Sequence, residues 1–396
     1  MRHRRRGESK TSGPAGQAGN GGSGAGGNGR RPEPLVTATS ARAKTRATVE
    51  APLNKKRSRA SRHPLVVGLN FVLFVGMIAF VGGIAVLVIG RQAYLSPGPL
   101  AEDVQVNIPR GASVQSIAQG LEEQDIISSQ YVFLAAAYSS GATRSMKAGE
   151  YVIPAHASIS DVLQKIVSGQ VVQHQITFAE GLTSAQIVKR LNDNEVLSGI
   201  IRQIPPEGSL MPETYSITRG MPRERVLEQM QIAQASALAE IWEARDPDIP
   251  ISSPEELVTL ASIVEKETGR AAERARVAAV FANRLKRRMK LQSDPTILYG
   301  LYGGEAWEEA RTIYQSDLNR PNPYNTYQIN GLPPGPIANP GREAMEATAN
   351  PDETNELYFV ADGTGGHAFA TTYEAHQANV ARWREIERQR NTETTQ

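Results

Sequence analysis

The most restrictive feature of this chain is an apolar run near its N-terminus. Leu65 to Gly90 is 26 residues without one ionisable side chain, and Asn70 is its most polar member. As a helix rising about 1.5 Å per residue, it outreaches the roughly 30 Å hydrocarbon core of a bilayer. A buried soluble helix is rarely so long and so uniformly apolar. The run also begins too far along the chain, and lasts too long, for an ordinary cleaved signal. Gly82 and Gly83 are tolerable in a lipid-embedded helix. The run predicts a single transmembrane helix over 65–90.

Charge gives this helix a direction. Residues 1–64 hold 15 Lys and Arg against 3 Asp and Glu, whereas the remaining 332 residues are net acidic by 10. Basic clusters stand at Arg2, Arg4, Arg5 and Arg6 and again at Lys55, Lys56, Arg57, Arg59 and Arg62. Positive charge before the span keeps the N-terminus cytoplasmic and puts everything after Arg91 outside the cytoplasm. Nine of the twenty residues from Thr11 to Arg30 are glycine, too little apolar surface to offset chain entropy. Residues 1–64 therefore read as a disordered basic cytoplasmic tail. A nucleic-acid binder would be basic in its folded part, and this one is acidic there, so no nucleic-acid partner is expected. Cysteine is absent, which removes disulfide scaffolds and thiolate catalysis.

Ser96-Pro97-Gly98-Pro99 reads as part of a linker over 91–100. Beyond it, three windows align without gaps: Ile108 to Leu121, Ile153 to Ile166 and Phe178 to Leu191. Each has a Ser or Thr five residues in (Ser113, Ser158, Thr183), then apolar residues one helical turn apart, as Ile117 and Leu121, Val162 and Ile166, Ile187 and Leu191. The four-residue step marks one helix face, and the hydroxyl suits an N-cap. Each unit is thus strand, turn, helix, with alternating strands at Val104 to Ile108 and Gly149 to Ile153. Such units resemble LysM-like modules that bind glycan chains, and a plain spacer fits the same pattern.

The C-terminal half carries the chemistry. Ser253-Pro254-Glu255-Glu256 opens a helix, with capping-box spacing from Ser253 to Glu256 and Pro at the first helical position. It runs to Thr268, with Gly269 suited to the position after its end. Leu257, Leu260, Ala261 and Val264 share one face. Glu267 falls at the edge of that stripe, Glu265 on the other flank, and Lys266 points away. A carboxyl beside apolar surface at a helix C-terminus has its charged form disfavoured, which suits a general acid. A solvated Glu-Lys-Glu helix end fits the wheel equally. A second helix spans about 272–289, a turn follows at 292–296, and a Pro/Gly-dense loop system carries Tyr and Asn side chains, as a sugar site requires. Leu357 to Ala361 reads as a buried strand, and a charged helix covers about 373–388.

The strings ASIVEKETG, FANRLKRRMKLQSDPTILYG, YNTYQINGLPPGPIANPG and YFVADGTGGHAF, in this order and behind one N-terminal anchor, resemble the YceG-like endolytic murein transglycosylase family. The resemblance covers about 104–388. It implies an α+β chain: the transmembrane helix, a small LysM-like α/β module over 101–172, a larger α+β catalytic domain over 173–390, and a short tail over 391–396. It implies a single-pass protein of the inner (plasma) membrane, with the catalytic domain on the extracytoplasmic side. The enzyme would cut peptidoglycan glycan strands near the membrane, with peptidoglycan synthases as possible partners. One glutamate of the family's ExE pair acts as acid and then base. Here the choice is Glu267, with Glu265 second. The bond is the one between N-acetylmuramic acid and N-acetylglucosamine. The sugar's own C6 hydroxyl closes a 1,6-anhydro end, so one carboxyl suffices where ordinary glycosidases use two.

Gln292, Asp294, Tyr324, Asn325 and Tyr327 are candidates for gripping the glycan, and His367 reads as structural. No cofactor or metal is expected; the six histidines show no HExxH-type spacing. A non-catalytic glycan-binding scaffold of the cell-wall machinery is the alternative from a different class.

Overall fold

The computed structural model describes residues 63–305 and 312–393. The expected tail over 1–64 therefore lies outside the described residues as far as residue 62, as do the last three residues of the expected tail over 391–396. The described chain mixes many helices with three small antiparallel sheets.

The apolar run forms α1, Pro64–Leu95, a helix of 32 residues with no buried member, long and apolar enough to cross a membrane. It runs past Gly90, so the first part of the expected 91–100 linker is helical. The rest is fastened down. Gly98 N donates to His156 O at 3.1 Å, His156 N donates to Leu100 O at 2.9 Å, and Leu100 is buried. Tyr94 packs against the same core that Leu100 enters. A side chain at Gly98 would bring Cβ within 2.2 Å of Ala157 O, so only glycine allows this approach.

The first sheet pairs β1 (Val104–Ile108) with β2 (Gly149–Ile153), Val104 opposite Ile153. Between them lie α2 (Val114–Glu123) and α3 (Gln130–Ser139), and α4 (Ile159–Ser168) follows β2. Val106 and Ile108 turn inward by the two-residue period of a strand and meet Leu121, Phe133, Tyr151 and Ile166. The second sheet pairs β3 (His174–Thr177) with β4 (Thr214–Ile217), flanked by α5 (Ser184–Asn192) and α6 (Arg223–Glu243). All three hydroxyl caps form. Ser113 accepts from Ser116 N, Ser158 from Asp161 N, and Thr183 from Gln186 N.

Glu150 of β2 is buried and reaches into the second sheet. Arg219 Nε donates to its Oε1 at 2.8 Å, and His174 Nε2 lies 2.6 Å from its Oε2. Burial alone would raise its pKa. The bonds from His174 and Arg219 outweigh that and hold the carboxyl below its ordinary range.

The third region is built around α7 (Pro254–Glu267). Ser253 caps it, accepting from Glu256 N, with Pro254 at the first position. Every residue from Leu257 to Val264 is buried, not just the stripe expected from the wheel. The reason is that α6, α8 (Ala271–Lys286), α9 (Asp294–Tyr302) and α11 (Arg342–Ala349) all pack on it. Ser262 is satisfied inside this core, donating to Thr259 O and accepting from Ile337 N. A short helix, α10 (Gln315–Leu318), precedes the Tyr/Asn loop. The hairpin β5 (Tyr358–Ala361) and β6 (His367–Ala370) leads into α12 (Tyr373–Glu393). Two expectations change here. Leu357 is buried, but β5 is half-buried along its length, because its sheet has only two strands. And α7 ends on Thr268 in extended backbone, without a left-handed Gly269.

Candidate active site

Both glutamates of the ExE pair lie in the last turn of α7, and the structure gives them different surroundings. Glu267 Oε1 accepts a hydrogen bond from Ser293 Oγ at 2.6 Å. The residue keeps some exposed surface, while its carboxyl is set among densely packed protein atoms. Burial pushes its pKa up to about 7, and the nearby charge of Asp294 acts in the same direction. The Ser293 bond and the Arg284 guanidinium pull it down by less.

Ser293 caps α9 in position and is itself tightly held. Its N–H donates to Thr326 Oγ1 at 2.9 Å, and its carbonyl accepts from Thr296 Oγ1 at 2.6 Å. Thr296 and Thr326 join their hydroxyls at 2.9 Å. All three residues are buried. The chain enters through Gln292 at φ 51°, a left-handed conformation uncommon for a residue with a Cβ. Arg284 fixes the preceding turn, donating to Leu291 O at 2.7 Å and, across the site, to Leu357 O at 2.6 Å. Its burial lowers its own pKa.

Glu265 has different partners. Its Oε2 accepts from Gly341 N at 2.9 Å, and Arg274 Nη2 lies 3.9 Å from its Oε1. Arg274 also pairs with Glu180 at 3.2 Å and with Glu343. Burial, followed by the Glu180 charge, raises the Glu265 pKa. Glu265, Glu180, Arg274, Lys266, Asp294 and Leu298 line an open cleft of about 680 Å³. Glu267 is not among its lining residues. Its chain neighbour Lys266 is, and so is Asp294, whose charge bears on Glu267.

The glycan candidates divide. Asp294 is exposed on the cleft and accepts from Tyr327 Oη at 2.7 Å. Gln292 is exposed beside Ser293. These three gather near Glu267. Tyr324 does not; its ring lies against Tyr299, centroids 4.9 Å apart, in a second cluster around Glu207. Asn325 is fully buried. Its amide donates to the carbonyls of Asp317, Leu318 and Arg320, so it shapes the loop from within. His367 faces Glu273, Nδ1 to Oε2 at 2.8 Å, and pins the β5–β6 hairpin to α8.

Sequence reasoning missed Ser293 and Glu207. Glu207 is held by Ser184 N at 2.7 Å, Asn339 Nδ2 at 3.0 Å and Tyr299 Oη at 3.2 Å, and burial raises its pKa. Its partners come from distant segments, and no local pattern marks it. Ser293 carried a signal: a hydroxyl immediately before Asp294-Pro295 at a helix start. Among the described residues no group of His, Asp and Glu converges to hold a metal ion.

Comparison with known proteins places this chain in a family. The YceG-like family matches residues 106–382, a span that includes Glu265, Glu267, Ser293 and the cleft. The chain belongs to the YceG-like family. A relative in Bacillus subtilis (strain 168), named endolytic murein transglycosylase, is 31% identical over 304 residues, covering 69% of this chain and 82% of that protein. A protein of the same name from Streptococcus pneumoniae serotype 2 (strain D39) is 30% identical over 323 residues, 70% of this chain but 58% of its own length. The chain thus spans little more than half of that longer relative. A solved YceG-like protein from Listeria monocytogenes is 30% identical, covers 70% of this chain and 99% of its own, and superposes with a TM-score of 0.42.

Proposed function

We propose that this YceG-like protein is a membrane-anchored lytic transglycosylase that cuts peptidoglycan strands internally, with Glu267 as its acid and base. One observation carries the reading. A carboxyl at the end of a buried helix is held near neutral pKa, with a single hydroxyl donor, next to a cleft. Such a group can be protonated at the start of a turnover and charged at its middle. The names of the Bacillus and Streptococcus relatives support the substrate class.

In this reading Glu267 protonates the oxygen joining N-acetylmuramic acid to N-acetylglucosamine in the β-1,4 linkage. The C1–O bond breaks. The C6 hydroxyl of the same muramic acid attacks C1 and gives its proton to the Glu267 carboxylate. The products are a free 4-hydroxyl end and a 1,6-anhydro end, and no water is consumed. The attacking group is already attached, so the step benefits from proximity. Glu267 is favoured over Glu265 because Glu265 is already engaged by Gly341 N and the Arg274 cluster. Asp294 and Gln292 are suited to hold sugar hydroxyls, and Tyr327 holds Asp294 in place.

Anchoring by α1, with the N-terminus in the cytoplasm, would keep the site close to nascent strands, where cleavage ends elongation. We read 101–172 as LysM-like, on its β–α–α–β order with paired outer strands, and 173–390 as the catalytic domain. Cell-wall synthases are natural partners for such an enzyme.

The test is incubation of the full chain in detergent with purified glycan strands, followed by mass analysis of the ends. Wild type should yield 1,6-anhydro ends, and Glu267→Gln should leave strands intact. Equal products from both would remove the reading, and an intact-strand result for wild type would favour a glycan-binding scaffold. Loss of cleavage in Glu265→Gln but not in Glu267→Gln would transfer the role to Glu265.

A further inference from the structure

A carboxyl that gives a proton away and later takes one back works best when its two oxygens are told apart. The surroundings of Glu267 distinguish them. Oε1 receives the Ser293 hydroxyl at 2.6 Å, whereas among the described residues no hydrogen bond reaches Oε2. We propose that Ser293 is a positioning residue for the acid: its hydroxyl occupies Oε1, so that Oε2 is the oxygen that delivers and regains the proton. This rests on the reading of Glu267 as the acid.

The argument begins with proton counting. A serine hydroxyl has one hydrogen to donate. A proton placed on Oε1 would compete with that hydrogen and force the hydroxyl to turn round. A proton on Oε2 leaves the Ser293 bond in place through the whole cycle. While Oε2 is protonated, Ser293 donates to a neutral carbonyl-like oxygen. Once the proton has moved to the glycosidic oxygen, the same bond becomes charge-assisted and strengthens. Ser293 thereby stabilises the state that follows proton transfer more than the one before it. This is how a fixed donor contributes to rate.

The donor is fixed by its own supports. Thr326 Oγ1 accepts the Ser293 N–H, and Thr296 Oγ1 donates to the Ser293 carbonyl. The two threonine hydroxyls are joined to each other, and this group of three is buried away from competing water. The left-handed Gln292 turns the chain into this position. Such a backbone is held by its surroundings, since a residue with a Cβ does not adopt it freely. The two threonine hydroxyls thus lock the backbone of Ser293, while its side-chain oxygen is aimed at one atom of Glu267.

The experiment uses the full chain in detergent, with kcat and KM measured on glycan strands across a pH series and folding checked by thermal melting. Loss of a hydrogen bond to a charged group should lower kcat of Ser293→Ala by about 10–100-fold, with KM little changed. The descending limb of its pH profile should move to higher pH, because the charged carboxyl has lost a donor. Ser293→Thr, which retains the hydroxyl, should bring the limb back. If Ser293→Ala does not fold, Ser293→Cys replaces it, and its weaker donor should give a smaller shift in the same direction. An unmoved limb in the folded variants, or a loss of kcat that Thr does not relieve, overturns the proposal. An active Glu267→Gln would instead overturn the assignment of the acid, so the two failures are distinct.

Discussion

Tyr327 donates its hydroxyl to Asp294 Oδ1 at 2.7 Å, joining the Tyr/Asn loop to the first turn of α9. Lys290 Nζ holds the same loop from the other side, donating to Tyr327 O at 2.9 Å. The bond keeps the Asp294 carboxylate on the cleft, beside Glu267. Tyr327→Phe should lower kcat/KM on glycan strands by about 3–10-fold, the worth of one such bond. The ring still packs, so the melting temperature should barely change. Initial rates and a melting curve on the same preparation check both halves.

The Glu267 carboxyl, proposed above as the acid, opposes stability when it is charged. Its folded pKa of about 7 exceeds the ordinary 4.5, so the native state binds its proton more tightly than the unfolded chain does. The sign follows from linkage. Folding gains from this group below about 4.5, and that gain fades as pH rises to about 7. Above that range the buried charge costs on the order of 3 kcal/mol relative to acid conditions. Glu267→Gln removes the charge and should abolish cleavage. It should also raise the melting temperature at pH 8 while changing it little at pH 4. Equal shifts at the two pH values would contradict a buried, neutral-leaning carboxyl.

With Glu267 as the proposed acid, the rate should fall as pH rises through about 7, where that carboxyl loses its proton. Asp294 contributes to that position by its negative charge. Asp294→Asn should therefore move the descending limb to lower pH. A pH–rate series on the variant checks the direction, and a limb displaced upward would show that Asp294 acts on Glu267 by some means other than its charge.

Gly98→Ala should destabilise the module that follows α1. The added Cβ would lie 2.2 Å from Ala157 O, a backbone atom that cannot step aside alone. A loss of about 1–3 kcal/mol is expected from such overpacking. Denaturant titration followed by circular dichroism measures it, and an unchanged midpoint would mean that the segment around Gly98 can lift away freely.

Local chemistry was legible in the sequence, and long-range chemistry was not. Ser113, Ser158, Thr183 and Ser253 announce their helices because a cap and the backbone N–H that donates to it lie within three residues. The ExE pair is visible for the same reason. The wheel put Glu267 at the edge of an apolar stripe but could not foresee that four helices would enclose α7 on all sides. Asn325 looked like a sugar ligand by type, yet its amide closes its own loop. Ser293 lies 26 residues from Glu267, and Glu207 lies 132 from Asn339. Such meetings depend on tertiary packing, which no window of sequence contains.

The Glu150 clasp bears on any attempt to divide the molecule. One side of it belongs to β2, while the other comes from His174 and Arg219 beyond the apparent boundary at 172. Severing the chain there would leave an interior anion in one fragment and its guanidinium in the other, so neither fragment would be a finished object. What looks in sequence like a convenient place for scissors is, in three dimensions, a stitched seam.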